Sequence, residues 1–252
     1  MVESNATVAA RLEVSDGLMI LRVRPDGDAF SFKPGQYTVL GLQDASGRWI
    51  RRAYSIASAN RPGEPLEFYI ALVNEGALTP LLFNLQVGDR LYVSPKAAGL
   101  FTLDRIEGDK DAVLVATGTG LAPYMSMLRS QMTCGIGRRF VVLHGARFSW
   151  ELGYRGALET LAKECKNFSY LPSITRPKED PSWNGLTGYL QDLLVSGDVE
   201  KRTGIALLPE RTEIFLCGNP AMIQAASDRL IQRGFERDQG KTPGTLHIEE
   251  YW

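Results

Sequence analysis

Ala112-Val-Leu-Val-Ala-Thr-Gly-Thr-Gly-Leu-Ala-Pro123 is the stretch that decides the fold. Its first six residues form an apolar run, as expected of a strand covered on both faces in a parallel sheet. Two glycines then turn the chain. Pro123 opens a helical stretch reaching about Met132, because a proline is tolerated in a first helical turn, where its missing N–H would have no partner anyway. Strand, glycine turn and helix together let the backbone approach a pyrophosphate at the positive end of a helix. The alternation recurs downstream. Arg139 to His144, Phe168 to Ile174, Glu213 to Cys217 and the final Leu246 to Trp252 read as strands. Tyr154 to Cys165, a stretch marked by Leu190, Leu193 and Leu194, and Pro220 to Arg233 read as helices. Strands alternating with helices imply a parallel α/β sheet.

Upstream the pattern is different. Turn formers such as Asp16-Gly17, Pro25-Asp26-Gly27, Pro34-Gly35, Ser46-Gly47, Pro62-Gly63 and Gly88-Asp89 punctuate the first hundred residues. Between turns lie short runs rich in β-branched and aromatic residues: Leu18 to Val23, Tyr37 to Leu42, Tyr54 to Ala57, Leu66 to Val73 and Arg90 to Val93. That spacing predicts an antiparallel β-barrel or sandwich. The charged run Asp104 to Asp111 marks the change, so two domains are expected: a β-barrel over 1–104 and an α/β domain over 105–252.

Composition excludes several function classes. Lys and Arg number 28 against 29 Asp and Glu, so no global basic field draws nucleic acid. Cys134, Cys165 and Cys217 lie far apart with no CxxC pair. A structural zinc, an iron–sulfur cluster and a disulfide framework are therefore not expected, and a reducing cytoplasm is. No cluster has metal-ligand spacing, and neither His144 nor His247 sits in a hydrolytic pattern. No apolar run approaches the ~18 residues that span a bilayer, so no membrane partner is expected.

Ligands of open parallel sheets bind beyond the carboxyl ends of the strands, which here are the loops after Thr117, His144, Ile174 and Cys217. In Gly145-Ala146-Arg147, the arginine stands near the point where an NAD-preferring site carries a carboxylate. Its fork suits a 2′-phosphate instead, and Arg176 can close on the same group. Either arginine alone reads equally well as a solvated surface cation; two at successive strand ends favour NADP(H). In Trp49-Ile50-Arg51-Arg52-Ala53-Tyr54-Ser55, Arg52 and Tyr54 project from one strand face, with Ser55 next. Cation, ring and hydroxyl suit a phosphate, a flat ring system and a ring heteroatom. By pattern alone, an edge strand with snorkelling arginines is the stronger reading.

Four motifs in order, Pro34-Gly35-Gln36-Tyr37, Arg52-Ala53-Tyr54-Ser55, Gly118-Thr119-Gly120-Leu121-Ala122-Pro123 and Cys217-Gly218-Asn219-Pro220-Ala221-Met222, together with the end Glu250-Tyr251-Trp252, resemble the bacterial ferredoxin/flavodoxin–NADP reductases over the whole length. The resemblance implies an FAD-binding barrel and an NADP(H)-binding α/β domain. It implies hydride transfer from NADPH to flavin N5, then single electrons to a ferredoxin or flavodoxin. Arg52 and Ala53 would lie on the FAD, the arginine at its pyrophosphate. Tyr54 would stack on the isoalloxazine and Ser55 would bond near N5. Phe68, Tyr69 and Ile70 would form the second FAD strand, and Gly76, Leu78 and Thr79 the turn that holds the FAD phosphates. Tyr251 would cover the other flavin face and Trp252 the folded-back adenine. Thr119 would touch both nucleotides, and Cys217 would lie near the nicotinamide. Gly118, Gly120, Ala146, Arg147, Arg176, Gly218, Asn219 and Met222 would line the NADP site. Tyr189 stands where some relatives carry a third 2′-phosphate arginine, which makes this adenosine site less basic. Glu249 or Glu250 could handle protons, although a solvated strand face is the stronger reading of both; Arg48 and Arg51, beside the flavin motif, are candidates to meet an acidic carrier and read equally well as an ordinary charged strand face. The family default is a monomer. A reductase component of an oxygenase or cytochrome, a free-flavin reductase and a non-catalytic NADP-binding sensor are the alternatives.

Overall fold

Residues 3–27 and 30–250 are described by the computed structural model. They fall into two units, one running to Leu103 and including Ala122–Met132, the other made of Asp104–Leu121 and the chain from Thr133 onward.

The first unit is built on β1 (Ala6–Ser15), β2 (Leu18–Pro25), β3 (Tyr37–Gln43), β4 (Trp49–Ser55), β5 (Leu66–Ala71) and β6 (Arg90–Val93), with the short helix α1 (Thr79–Asn84) before β6. The strand order is β4-β3-β6-β1-β2-β5, and each neighbouring pair is antiparallel. An antiparallel bridge from Ile56 to Phe68, with the Ala57 N–H donating to the Glu67 carbonyl at 2.7 Å, links the two end strands. That link draws the ends of the sheet together into a barrel, while the outer side of β4 pairs with no strand among the described residues. Met19, Leu21, Leu40, Phe68, Ile70, Leu82 and Leu91 fill the interior.

Two expectations need correction here. The run Tyr54 to Ala57 is not a strand of its own: the strand read in Trp49 to Ser55 holds, pairing with β3 from Gln43↔Trp49 to Tyr37↔Ser55. Ile56 and Ala57 instead leave β4 to make the closing bridge. β1 was not anticipated, because Ala-Thr-Val-Ala-Ala-Arg-Leu-Glu-Val-Ser has no clean alternation. Register shifts at Val8/Ala10 and Glu13/Ser15 explain this: each shift moves the following side chains to the other face.

Helix α2 (Ala122–Gln131) follows the glycine turn and packs in the first unit. Its Arg129 donates to the Ala57 carbonyl at 3.0 Å and pairs with buried Glu67 at 2.6 Å. The second Glu67 oxygen receives Arg22 at 2.7 Å, so the buried carboxylate is matched by two guanidinium groups, as a charge in that position requires.

The second unit holds β7 (Asp111–Thr117), β8 (Phe140–Ala146), α3 (Arg155–Glu164), β9 (Phe168–Ile174), β10 (Leu186–Thr187), α4 (Leu190–Leu193), α5 (Asp198–Thr203), β11 (Thr212–Gly218), α6 (Pro220–Gln232) and β12 (Leu246–Glu250). Every ladder is parallel, in the order β10-β9-β8-β7-β11-β12. The order reverses between β7 and β11, which puts the ligand crevice beyond Thr117 and Gly218. The helix expected around Leu190 is a single turn. α5 was not anticipated; it lies between Gly197 and Gly204, both at positive φ (85° and 69°).

The cysteine expectation also needs correction. Cys134 and Cys165 form a disulfide with Cα atoms 4.8 Å apart. Separation in sequence misled the reading. The Asn167 side chain accepts from the Gly135 N–H at 2.6 Å and donates to the Thr133 carbonyl at 2.9 Å, folding that loop against the end of α3. Cys217 is buried and takes no part in a disulfide.

β12 is tied down by buried charge. His247 bonds Glu213 at 2.7 Å and stacks on Phe215, while Asp238 pairs with Arg105 at 2.7 Å. Burial pushes the Glu213 carboxyl up, but hydrogen bonds from His247 and the Glu107 N–H, with Lys110 nearby, outweigh it and leave the group below its ordinary range. Among the described residues, no helix is long and apolar enough to cross a membrane, and no His, Cys, Asp and Glu cluster of three could hold a metal ion.

Candidate functional site

β4 pairs with β3 and carries the first group of site residues. Arg51, Arg52 and Ala53 are exposed, Tyr54 is half-buried against the barrel core, and Ser55 is buried. A groove of about 760 Å³ runs along this strand, lined by Arg48, Trp49, Arg51, Arg52, Ala77 and Tyr92. Burial raises the Tyr54 hydroxyl to about 12, against a small opposing pull from Arg52. The ring therefore stays neutral at physiological pH and offers a flat apolar face beside a cation. That combination fits a flavin carrying a pyrophosphate. Phe68, Tyr69 and Ile70 are buried, so β5 can meet such a ligand only through its backbone. The turn before α1 is tight. The Gly76 N–H donates to the Val73 carbonyl at 2.8 Å, and the Thr79 hydroxyl both accepts from the Val73 N–H and donates to its carbonyl at 3.0 Å. Leu78 points into the core. This hydroxyl closes the turn, leaving backbone N–H groups for phosphate.

In the second unit the glycines at the switch point are demanded by space. A Cβ on Gly120 would lie 2.4 Å from the Cys217 carbonyl oxygen, and one on Gly218 would lie 2.3 Å from the Thr117 hydroxyl. Gly118, at φ 53°, has nothing within 4 Å of its missing Cβ, so its outer side is open. The two loops are latched together, since the Asn219 N–H donates to the Thr117 hydroxyl at 2.7 Å. Asn219 then caps α6, accepting from the Ala221 and Met222 N–H groups at 2.9 and 3.2 Å. These close approaches produce a backbone cradle next to a helix N-terminus, which fits a dinucleotide. Met222 turns into the core, and Cys217 is fully buried at the end of β11. His144 lies beneath, in register with Ala116.

Beyond β8 and β9 lies a cationic and aromatic platform. The Arg176 N–H donates to the Arg147 carbonyl at 3.0 Å, and the Ala146 carbonyl accepts from the Thr175 N–H. The guanidinium carbons of Arg147 and Arg176 sit 6.0 and 5.6 Å from the ring centre of Phe148. That ring stacks on Trp150 at 4.6 Å and 8°. Arg147 is held by Glu151. Tyr189 is exposed just before α4, and Gly188 is tied to β9 through its N–H to Ile174 and the Ser173 hydroxyl.

The structure thus gathers the Arg52 group on one unit and the Thr117, Arg147 and Arg176 groups on the other. Tyr251 and Trp252 lie outside the described residues. Glu249 and Glu250 pair with Cys217 and Gly218 along β11. Phe148, Trp150, Glu151 and the Thr117 latch were missed in the sequence reading. The i,i+4 spacing of Arg147 and Glu151 was a usable signal for one of them.

Two family matches follow the same division. Residues 5–98 match the oxidoreductase FAD-binding domain and residues 114–228 the oxidoreductase NAD-binding domain. The flavodoxin/ferredoxin–NADP reductase of Buchnera aphidicola subsp. Baizongia pistaciae is 33% identical over 88% of both chains. This chain belongs to the flavodoxin/ferredoxin–NADP reductase family. The flavodoxin/ferredoxin–NADP reductase of Escherichia coli K12 is 32% identical over 94% of both chains. A crystal structure of a ferredoxin NADP+ reductase from Neisseria gonorrhoeae, with bound FAD and NADP, superposes with a TM-score of 0.85 at 27% identity over 98% of each chain. A barrel followed by a parallel sheet with helices is the two-domain fold of this family, and family and fold together make the chain an oxidoreductase enzyme.

Proposed function

We propose that this protein uses FAD to move electrons between NADP(H) and a ferredoxin or flavodoxin, with the roles of individual residues as follows. The observation that carries the reading is the β4 row of exposed Arg52, half-buried Tyr54 and buried Ser55, in the same chain as a switch point whose glycines leave no room for a Cβ. Bound FAD supplies two-electron exchange with the nicotinamide and one-electron exchange with the carrier. Arg52 anchors the pyrophosphate as a cation. Tyr54 stacks on the ring as a neutral, half-buried aromatic. Ser55 directs a hydroxyl toward the reacting edge, and Tyr251 and Trp252 cover the cofactor from the other side. Gly118, Thr119 and Gly120 bring backbone N–H groups to the NADP pyrophosphate, with Gly218 and Asn219 opposite. Cys217 flanks the nicotinamide as a small group that excludes water. Arg147 and Arg176 take the 2′-phosphate, and Tyr189 offers a ring to the adenine. Glu249 or Glu250 hands on protons. Exposed Arg48 and Arg51 draw an acidic carrier to the β4 groove. A monomer completes the reading.

The test is direct. The purified protein should be yellow, retain FAD through desalting, and reduce a ferredoxin or flavodoxin with NADPH faster than with NADH. A colourless protein that refuses added FAD, or one that reduces neither carrier, overturns the reading.

A further inference from the structure

Arg147, the proposed 2′-phosphate ligand, is already engaged. Its N–H and Nε donate to Glu151 Oε2 at 3.1 and 3.2 Å, and its Nη2 donates to Oε1 at 2.5 Å. The carboxylate is largely shielded, at 15% side-chain exposure against 64% for the arginine. Glu151 is thus fixed by the protein while the guanidinium leans out from it. Arg176 has a carboxylate of its own, Glu179, at 3.9 Å, and Tyr189 adds no charge. Each of the two arginines therefore already has a carboxylate partner, and these four groups together carry no net charge. A phosphate near −2 is drawn to them far less than to two uncompensated arginines, and must share or displace Glu151 to use the Arg147 fork.

We propose that Glu151 sets the nucleotide selectivity of this enzyme by holding and neutralising Arg147, which lowers the gain from a 2′-phosphate and leaves NADH a usable donor. Glu151 is a positioning residue that acts through Arg147. The inference rests on Arg147 being the 2′-phosphate ligand. It predicts that removing the charge, and nothing else, sharpens the preference for NADPH.

The experiment compares wild-type holoenzyme with Glu151→Gln, Glu151→Asp and Arg147→Gln. Each is assayed with NADPH and NADH at low and high ionic strength, and titrated with adenosine 2′,5′-bisphosphate and with AMP. Glu151→Gln should tighten the bisphosphate and lower the NADPH KM by about three- to tenfold at low salt, with kcat, AMP affinity and the NADH KM unchanged. The gain should shrink at high salt. Glu151→Asp keeps the charge and should give no such gain. An unchanged NADPH-to-NADH ratio in Glu151→Gln, an equal change for both nucleotides, or an equal gain in Glu151→Asp overturns the proposal. If Arg147→Gln lowers the NADPH preference while Glu151→Gln leaves it alone, only this inference fails. If Arg147→Gln leaves the preference intact, the phosphate assignment fails with it.

Discussion

His144 makes the fold sensitive to mild acid. The ring is fully buried in β8, with Nδ1 at 3.1 Å from the Tyr170 hydroxyl. Its Nε2 makes no hydrogen bond of normal geometry, although the Gly118 backbone lies near enough to favour the protonated ring slightly. Burial dominates and lowers the pKa from 6.5 to about 4. The sign follows from proton counts. Between pH 6.5 and 4 the unfolded chain binds a proton that the folded chain refuses, so stability falls as pH falls through that window. A tenfold change in proton affinity is worth about 1.4 kcal/mol, so the full loss is about 3 kcal/mol, with about 2 kcal/mol already gone at pH 5. Against a total of roughly 5–15 kcal/mol this is a large fraction. Urea unfolding of wild type and His144→Gln at pH 7.5 and pH 5, with excess FAD, isolates the effect, because a glutamine does not titrate. The wild type should lose about 2 kcal/mol more than the variant between the two pH values. Parallel losses would refute the argument that a neutral ring is locked inside β8.

Two further perturbations test other parts of the fold. Gly120→Ala forces a methyl to within 2.4 Å of the Cys217 carbonyl oxygen and 2.8 Å of the Gly218 N. Backbone must move on both sides, so the NADPH KM should rise about tenfold and stability should fall by about 2 kcal/mol, while the flavin spectrum is unchanged. Unchanged NADPH kinetics would mean that this close approach does not shape the nucleotide site. Opening the Cys134–Cys165 bond, with residues 31 apart in sequence, should cost about 3 kcal/mol through the freed unfolded chain. Melting with and without a thiol reductant, alongside Cys134→Ser, reads this out. Identical melting temperatures would show that the Asn167 hydrogen bonds alone hold the loop.

The second half of the fold was legible because its strands are buried on both faces. Ala112 to Ala116 and Ile214 to Cys217 are continuous apolar runs, and parallel pairing leaves such a run few alternatives. β1 was illegible for the opposite reason: two register shifts broke the alternation that a reader depends on. The disulfide was also hidden, since it depends on where the Asn167 side chain folds the 133–137 loop, and no spacing rule encodes a side-chain hydrogen bond. At the site, the two glycines around Thr119 pointed to a phosphate turn through their strand–turn–helix context, whereas Arg52 beside Tyr54 read by pattern alone as an edge strand with snorkelling arginines and was singled out only by the ordered motifs. The sequence did not reveal which way each group faces. Phe68, Ile70, Leu78 and Met222 belong to site motifs, yet their side chains serve the cores.

Arg147 illustrates the limit of reading residues singly. Counting cations at strand ends gives a pocket built for a 2′-phosphate. Including the residue four positions later gives an arginine whose charge is largely cancelled before any nucleotide arrives. Both readings use the same seven residues, Arg147-Phe-Ser-Trp-Glu-Leu-Gly153, and they differ in the selectivity they predict. Phe148 and Trp150 resolve the geometry further. Both guanidinium groups lie near the same Phe148 ring, which is stacked on Trp150. On the proposed assignment of Arg147 to the 2′-phosphate, selectivity is a competition between two anions for one fork, and a lone arginine in a motif cannot reveal a competitor.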